Sequence, residues 1–112
     1  MEKTKTNPNN TIAFQGELGA NSHMACMEAR PNFEVLPCHS FEDMLAAVQE
    51  KRAIAAMVPV ENSVAGRVAD IHHLLPDSGL FIVDEHFQRV NAMLLGIKGA
   101  KVEQLTEIHS HV

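Results

Sequence analysis

The run Ile54-Ala55-Ala56-Met57-Val58-Pro59-Val60-Glu61-Asn62-Ser63-Val64-Ala65-Gly66-Arg67 decides the reading of the fold. From Ile54 to Val60 no side chain is charged or polar, and an unbroken apolar segment of this length suits a strand buried on both faces. It is far too short to span a bilayer, which takes about 20 apolar residues. The character changes abruptly at Glu61-Asn62-Ser63. Beyond them Val64, Val68, Ile71 and Leu75 recur every three or four residues, the spacing of one helix face, until Pro76 and Gly79 end the pattern. A buried strand that runs into polar residues opening a helix is the joint of a parallel α/β sheet.

The same alternation extends upstream. Thr11 to Gln15 is a short, mostly apolar run ending at Gly16, which predicts a buried strand. Glu17 to Ala20 reads as a turn. Asn21 and Ser22 are suited to cap a helix, which Met24, Ala25, Met27 and Glu28 continue until Pro31. Phe33 to Leu36 predicts a second strand closed by Pro37. Ser40, with Asp43 three residues later, forms an acidic variant of the capping box, and Phe41, Met44, Leu45 and Val48 supply that helix's apolar stripe. The order β-α-β-α-β-α with short connections implies an α/β fold, a mainly parallel sheet with helices on both faces. Met24, Met27, Met44, Met57 and Met93 are expected as core filler.

Downstream the rhythm breaks. Leu80 to Val83 and Asn91 to Leu95 are expected strands, separated by the polar stretch Asp84, Glu85, His86, Gln88 and Arg89. Gly96, Gly99 and the lysines at 98 and 101 predict a turn, Val102 to Leu105 a short helical turn, and Thr106 to His109 the start of a strand.

Composition narrows the function classes. The 112 residues suffice for one small domain or most of one. With no Trp or Tyr and five Phe, the core rests on aliphatic residues and Met. A formal net charge of −5, without a basic run, argues against a nucleic-acid partner. Met1 to Asn10 is polar, with no apolar stretch after Lys3 and Lys5, so it reads as a solvated tail and not a secretory signal. No membrane partner and a cytoplasmic location are therefore expected. Cys26 and Cys38, widely spaced and without a partner motif, suit free buried thiols. His72 and His73 are adjacent on a helix and diverge; His109 and His111 share a strand face but lack a third ligand, so neither metal nor cofactor is expected.

In parallel α/β sheets ligands bind beyond the carboxyl ends of strands, where unpaired N–H groups and the dipole of the next helix favour anions. Two stretches fit such junctions, Phe14 to Ser22 and Val58 to Arg67. Together they suggest an anionic small molecule rich in oxygen, held by main-chain amides with Asn and Ser side chains. The capping preference of Ser and Asn also explains them without a ligand.

The wording of these segments is more specific. Phe14-Gln15-Gly16 followed by Gly19-Ala20-Asn21-Ser22 resembles the opening motif of prephenate dehydratases. Ser40-Phe41-Glu42-Asp43 resembles the start of that family's second helix. Val58-Pro59-Val60-Glu61-Asn62-Ser63, continuing to Gly66-Arg67-Val68, resembles its Pro-x-Glu-Asn-Ser/Thr signature, and Ser110-His111 falls where the family has Ser-His-Pro-Gln.

The resemblance implies a two-lobed fold like type II periplasmic binding proteins, with the site in the cleft between lobes. Residues 1–10 would be a tail, 11–83 most of the first lobe, 84–90 the hinge crossing and 91–112 the start of a truncated second lobe. The implied reaction removes water and carbon dioxide from prephenate to give phenylpyruvate on the route to phenylalanine. Gly19, Ala20, Asn21, Ser22, Glu61, Asn62, Ser63 and Arg67 form the implied substrate-binding set. Asn62 and Ser110 are the implied catalytic residues, Asn62 as a substrate or leaving-group contact and Ser110 from the opposite lobe; Ser22 and Ser63 would hold oxygens at helix starts, and Glu61 would orient the turn. Arg67 either counters a substrate carboxylate or is a solvated helix residue. A homodimer is expected, since an interrupted sheet leaves strand edges unpaired.

Four departures matter. Asn21 stands where the family usually has an aromatic residue, and Val112 replaces the Pro after Ser-His. The family's Thr-Arg-Phe motif, whose Thr is the leading candidate for the catalytic acid, is absent: Thr4, Thr6, Thr11 and Thr106 are not followed by Arg-Phe. The family's phenylalanine-sensing ACT domain is missing as well. The alternative is a non-catalytic module that binds a small carboxylate. In either case the purified 112-residue chain is expected to form no phenylpyruvate above the spontaneous rate when assayed with prephenate, and measurable turnover would overturn this.

Overall fold

A computed structural model describes residues 8–63, 66–91 and 93–109. The order of regular elements is β1 (Thr11–Gln15), α1 (Asn21–Ala29), β2 (Glu34–Cys38), α2 (Phe41–Gln49), β3 (Ala55–Met57), β4 (Glu61–Asn62), β5 (Gly66–Arg67) and α3 (Ala69–Leu74). Single 3-10 turns occur at Pro8–Asn10, inside the expected tail, and at Val102–Gln104, where a short helical turn was expected.

The main sheet has the order β2-β1-β3 and is wholly parallel. β1 therefore lies in the middle, paired from Thr11↔Glu34 to Gln15↔Cys38 on one side and from Ile12↔Ala55 to Phe14↔Met57 on the other. Its alternating side chains divide the core. Ile12 and Phe14 pack with Cys26 of α1 and with Phe33, Val35 and Met57. Ala13 points the other way, into a cluster with Met44, Leu45 and Ala47 of α2, Ala53, and Ile71 of α3. The α/β reading thus holds, with helices on opposite faces of a parallel sheet.

Helix termini follow from local chemistry. The Ser40 hydroxyl accepts from the Asp43 N–H at 3.1 Å, the cap expected from the sequence, and Glu42 and Asp43 place negative charge in the first turn. α2 stops where Lys51 turns into the left-handed region at φ 63°, letting the Arg52 N–H reach back to Ala47 O at 2.8 Å. At α1 the cap position falls on Ala20, which offers no side-chain hydrogen bond, and not on Asn21 or Ser22.

Several expectations are corrected. The third strand comprises only Ala55–Met57, and Ile54 is exposed, because β3 is an edge strand of the sheet and not a fully covered one. β2 continues through Pro37 to Cys38; an edge strand tolerates a residue without an N–H. Glu61-Asn62-Ser63 do not open a helix. Residues Glu61–Asn62 and Gly66–Arg67 pair antiparallel as a small hairpin, with Gly66 at φ +85°, and α3 begins only at Ala69. Beyond Arg67 no strand occurs among the described residues. At the expected strands 80–83, 91–95 and 106–109, Leu80 packs half-buried against the core, while the other described residues are exposed: Phe81 is 88% and Leu95 87% accessible. Apolar content alone cannot form a strand; it needs a neighbouring edge with which to exchange hydrogen bonds. Met24, Met27 and Met93 are exposed, because the face of α1 that meets the sheet is carried by Ala25 and Cys26, whereas Met44 is buried and Met57 half-buried. The expected tail over residues 1–7 and the roles of Ser110 and His111 lie outside the described residues.

Two long-range contacts hold the outgoing chain against the end of α1. Arg30, just after α1, donates through Nη2 to Asp84 Oδ2 at 2.8 Å, and His86 Nε2 lies 3.5 Å from Glu28 Oε1.

Met44 is fully buried between α2 and the sheet. Met44→Ala is expected to cost about 2–5 kcal/mol through lost burial and the cavity left behind, read from urea unfolding. Met93→Ala, at a position 76% exposed, should change stability by less than about 0.5 kcal/mol.

Candidate functional site

Because β1, β2 and β3 are parallel, their carboxyl ends share one edge of the sheet. That edge carries Gln15-Gly16 after β1, Cys38-His39 after β2 and Val58-Pro59-Val60 after β3. The starts of α1 and α2 return to the same edge. The joint is tight: the Gly16 N–H donates to Cys38 O at 3.0 Å, and Gln15 Nε2 donates to His39 O at 3.4 Å.

The first candidate segment leaves β1 through Gly16 at φ +132° and Gly19 at φ +89°, conformations that a side chain would strain. The Ala20 N–H closes the turn onto Glu17 O at 3.1 Å, and Met24 N–H makes the first helical bond to Ala20 O at 3.0 Å. Gly19, Ala20 and Asn21 are exposed and Ser22 is half-buried. Ser22 thus lies in the first turn of α1, where N–H groups have no intrahelical acceptor and favour anions.

The second segment has a different build from the one expected. Glu61 and Asn62 lie in β4, Arg67 in β5, and Ser63 between them. The hairpin sets Glu61 opposite Arg67 and Asn62 opposite Gly66, so the side chains of Glu61 and Arg67 project from one face of the ribbon. All four are exposed. The Val68 N–H donates to Val60 O at 3.0 Å, closing the base of the excursion, and His72 Nε2 lies 3.3 Å from the same carbonyl. The positive charge of this segment is the Arg67 guanidinium, set opposite Glu61, and no helix N-terminus lies at Glu61-Asn62-Ser63. Ser110 lies outside the described residues.

His23 escaped the sequence reading. Its Nδ1 accepts from the Gly19 N–H at 2.7 Å, and its ring stacks on Phe14 with centroids 5.6 Å apart and planes 7° from parallel. The signal was a ring-bearing acceptor four residues after a glycine at a helix entrance.

Two surface concavities lie elsewhere. One of about 420 Å³ lies between Gly96 and Glu107, and one of about 330 Å³ lies between His72 and Ile82. None of the candidate residues lines either. The candidate residues lie along an open sheet edge and not in an enclosed cavity. Among the described residues no cluster of His, Cys, Asp and Glu suits a metal ion, and no helix is long and apolar enough to cross a membrane.

A parallel sheet flanked by helices, with glycine-rich and Glu-Asn-Ser loops at its carboxyl edge, defines an α/β protein. Residues 12–112 match the prephenate dehydratase family, and the chain belongs to that family. It is 56% identical over 100 residues to a bifunctional N-acyl-homoserine lactone acylase/prephenate dehydratase of Komagataeibacter europaeus, covering 89% of this chain and 36% of that protein. It is 41% identical over 100 residues to the chloroplastic arogenate dehydratase/prephenate dehydratase 1 of Arabidopsis thaliana, covering 89% of this chain and 26% of that one. Among solved structures it resembles GqqA, described as a novel type of quorum-quenching acylase, with a TM-score of 0.67 and 59% identity over 72% of this chain and 42% of that one. The chain thus spans about a third or less of the length of these two curated relatives.

Both cysteines are free. Burial pushes the Cys26 thiol up from 9.0 to about 11. Burial also raises Cys38, opposed by Arg52. Neither is poised as a nucleophile at neutral pH, since the thiolate is the reactive form. Iodoacetamide at pH 8 is expected to label Cys26 far more slowly in the native chain than in urea. The folded state favours the neutral thiol, so the stability contributed by Cys26 should be full below about pH 9 and be lost between about pH 9 and 11, where the unfolded chain ionises first.

Proposed function

We propose that this chain supplies the first substrate-holding wall of a prephenate dehydratase domain and binds prephenate without converting it alone. The observation that carries the reading is the convergence of both family motifs, Gly16 to Ser22 and Glu61 to Arg67, on segments that leave adjacent parallel strands. Residues 11–83 are the body of this lobe, 84–90 its exit, and 91–112 the beginning of the facing lobe of a periplasmic-binding-protein-like pair. A cytoplasmic location and a homodimer complete the reading; the homodimer is supported by β2 and β3 each leaving one edge of the main sheet without a strand partner among the described residues.

The chemistry explains the residue types. Prephenate is a dianion. As the ring carboxylate leaves as carbon dioxide, its bonding pair enters the ring and expels the ring hydroxyl, which departs as water after taking a proton; phenylpyruvate remains. The wall must hold negative charge and steady the departing oxygen. Arg67 counters a carboxylate, Ser22 and the first-turn amides of α1 hold oxygens, and Asn62 with Ser63 contacts the leaving side. Gly19, Ala20 and Asn21 shape the loop, Glu61 orients the hairpin beside Arg67, and Ser110 reaches in from the facing lobe. The proton donor belongs to the Thr-Arg-Phe segment that this sequence lacks.

A second reading has its own support. Similarity to proteins named as acylases, at 56% and 59% identity, favours hydrolysis of an N-acyl-homoserine lactone by a longer protein containing this lobe. Arogenate, which appears in the plant relative's name, is a related substrate for the same wall.

The test is a titration of the isotopically labelled chain with prephenate, followed by amide shifts. Saturable changes confined to residues 15–22 and 58–67 are expected, and Arg67→Ala should weaken binding about tenfold, the loss of one charge-assisted contact. No saturable shift in either segment would refute the wall. Shifts produced by an N-acyl-homoserine lactone but not by prephenate would put the second reading first.

A further inference from the structure

α1 begins without a side-chain cap of its own: Ala20 occupies the cap position, and the glycines at 16 and 19 before it give the backbone wide freedom. Something else must define the entrance. His23, in the first turn of α1, reaches back and takes the Gly19 N–H at 2.7 Å, a short contact for an N–H donor. Its ring is held from the other side by near-parallel stacking on Phe14, which is fully buried in the central strand. One imidazole therefore joins the rigid centre of the sheet, the glycine loop and the start of the helix.

We propose that His23 is a positioning residue for the carboxylate-holding loop: it locks Gly19 so that Ser22 and the first-turn amides of α1 keep one orientation toward the ligand. This role rests on the prephenate-wall reading for its ligand, while the lock itself does not. The contact needs an acceptor lone pair on Nδ1, so His23 carries its hydrogen on Nε2. Because that N–H is consumed by His23, Gly19 shapes the loop and does not itself bind the anion. The ligand's donors are the amides further into the first turn and the Ser22 hydroxyl.

Two substitutions separate the functions of the ring. His23→Asn keeps an acceptor at the position of Nδ1 but loses the stack, whereas His23→Phe keeps the stack and loses the acceptor. In the unliganded chain, amide exchange at Gly19 is expected to quicken about tenfold in His23→Phe, the loss of one hydrogen bond, and to stay within about threefold in His23→Asn. Prephenate affinity should follow the same order, weakened about tenfold by His23→Phe and restored by His23→Asn. A purely structural role for the ring predicts the reverse, with His23→Asn the more damaging. Direct observation needs no variant: imidazole nitrogen shifts in the wild-type chain should show Nδ1 unprotonated at neutral pH and coupled through the hydrogen bond to the Gly19 amide. Finding the hydrogen on Nδ1, or unchanged Gly19 exchange in a folded His23→Phe chain, would overturn the proposal. If the exchange pattern appears but wild-type chain does not bind prephenate, the lock stands and the prephenate reading fails.

Discussion

The structure depends on the placement of Thr11–Gln15 at the centre of everything that packs. Among the described residues β1 alone in the main sheet has a partner on both sides, and its first four residues are buried. A strand in that position must satisfy two cores through alternate side chains, because successive residues face opposite ways. Phe14 fills one side and the small Ala13 admits α2 on the other. Fully burying a side chain such as Phe14 contributes about 1.5–3 kcal/mol. The larger effect is geometric, since the helices on both faces and both edge strands take their positions from this strand.

The candidate site is a consequence of that placement. A strand paired on both sides in parallel sends its neighbours' carboxyl ends to the same edge, and the connecting helices must start there. The motif loops therefore leave adjacent strands at one edge because of topology. Each loop is stabilised locally: the first by the Gly16 bond to β2 and the His23 contact, the second by the Val68–Val60 bond across its base. Exposed polar residues such as Asn62 and Arg67 contribute little to folding, which frees their identity to be set by chemistry.

Much of this was legible in the sequence, for identifiable reasons. The first strand, the Ser40 cap and the stripe of Met44 and Leu45 were readable because each rests on local rules of burial period and capping. Glu61-Asn62-Ser63 was misread in structure although its wording pointed to the family. A polar turn after an apolar run announces a helix or a hairpin with equal force, and the deciding bond, Val68 to Val60, joins residues eight apart. Met24 and Met27 misled because helical spacing says that a face exists and not which face meets the sheet; the small Ala25 and Cys26 won that contact. The strands expected beyond Leu80 failed for a different reason, since a strand's existence depends on a partner elsewhere in the chain.

The exposed segment after Leu80 bears on what the lobe can do. Phe81, Ile82, Val83 and Phe87 are all more than 70% accessible, a density of exposed apolar surface that marks a region made for contact. Its direction is nevertheless defined near its start, where Arg30 holds Asp84. The Arg30 hydrogen bond, ahead of that from the Glu85 N–H, pulls the Asp84 carboxyl below the usual range, so the pair persists well into acid. An exposed ion pair of this kind adds little stability. What it does is fix the angle at which the chain leaves the sheet, because Asp84 and, two residues on, His86 both meet the end of α1, at Arg30 and Glu28. The exposed apolar run at 81–83 and Phe87 is thereby carried in a defined direction from the helix, although little of its own surface packs against the core.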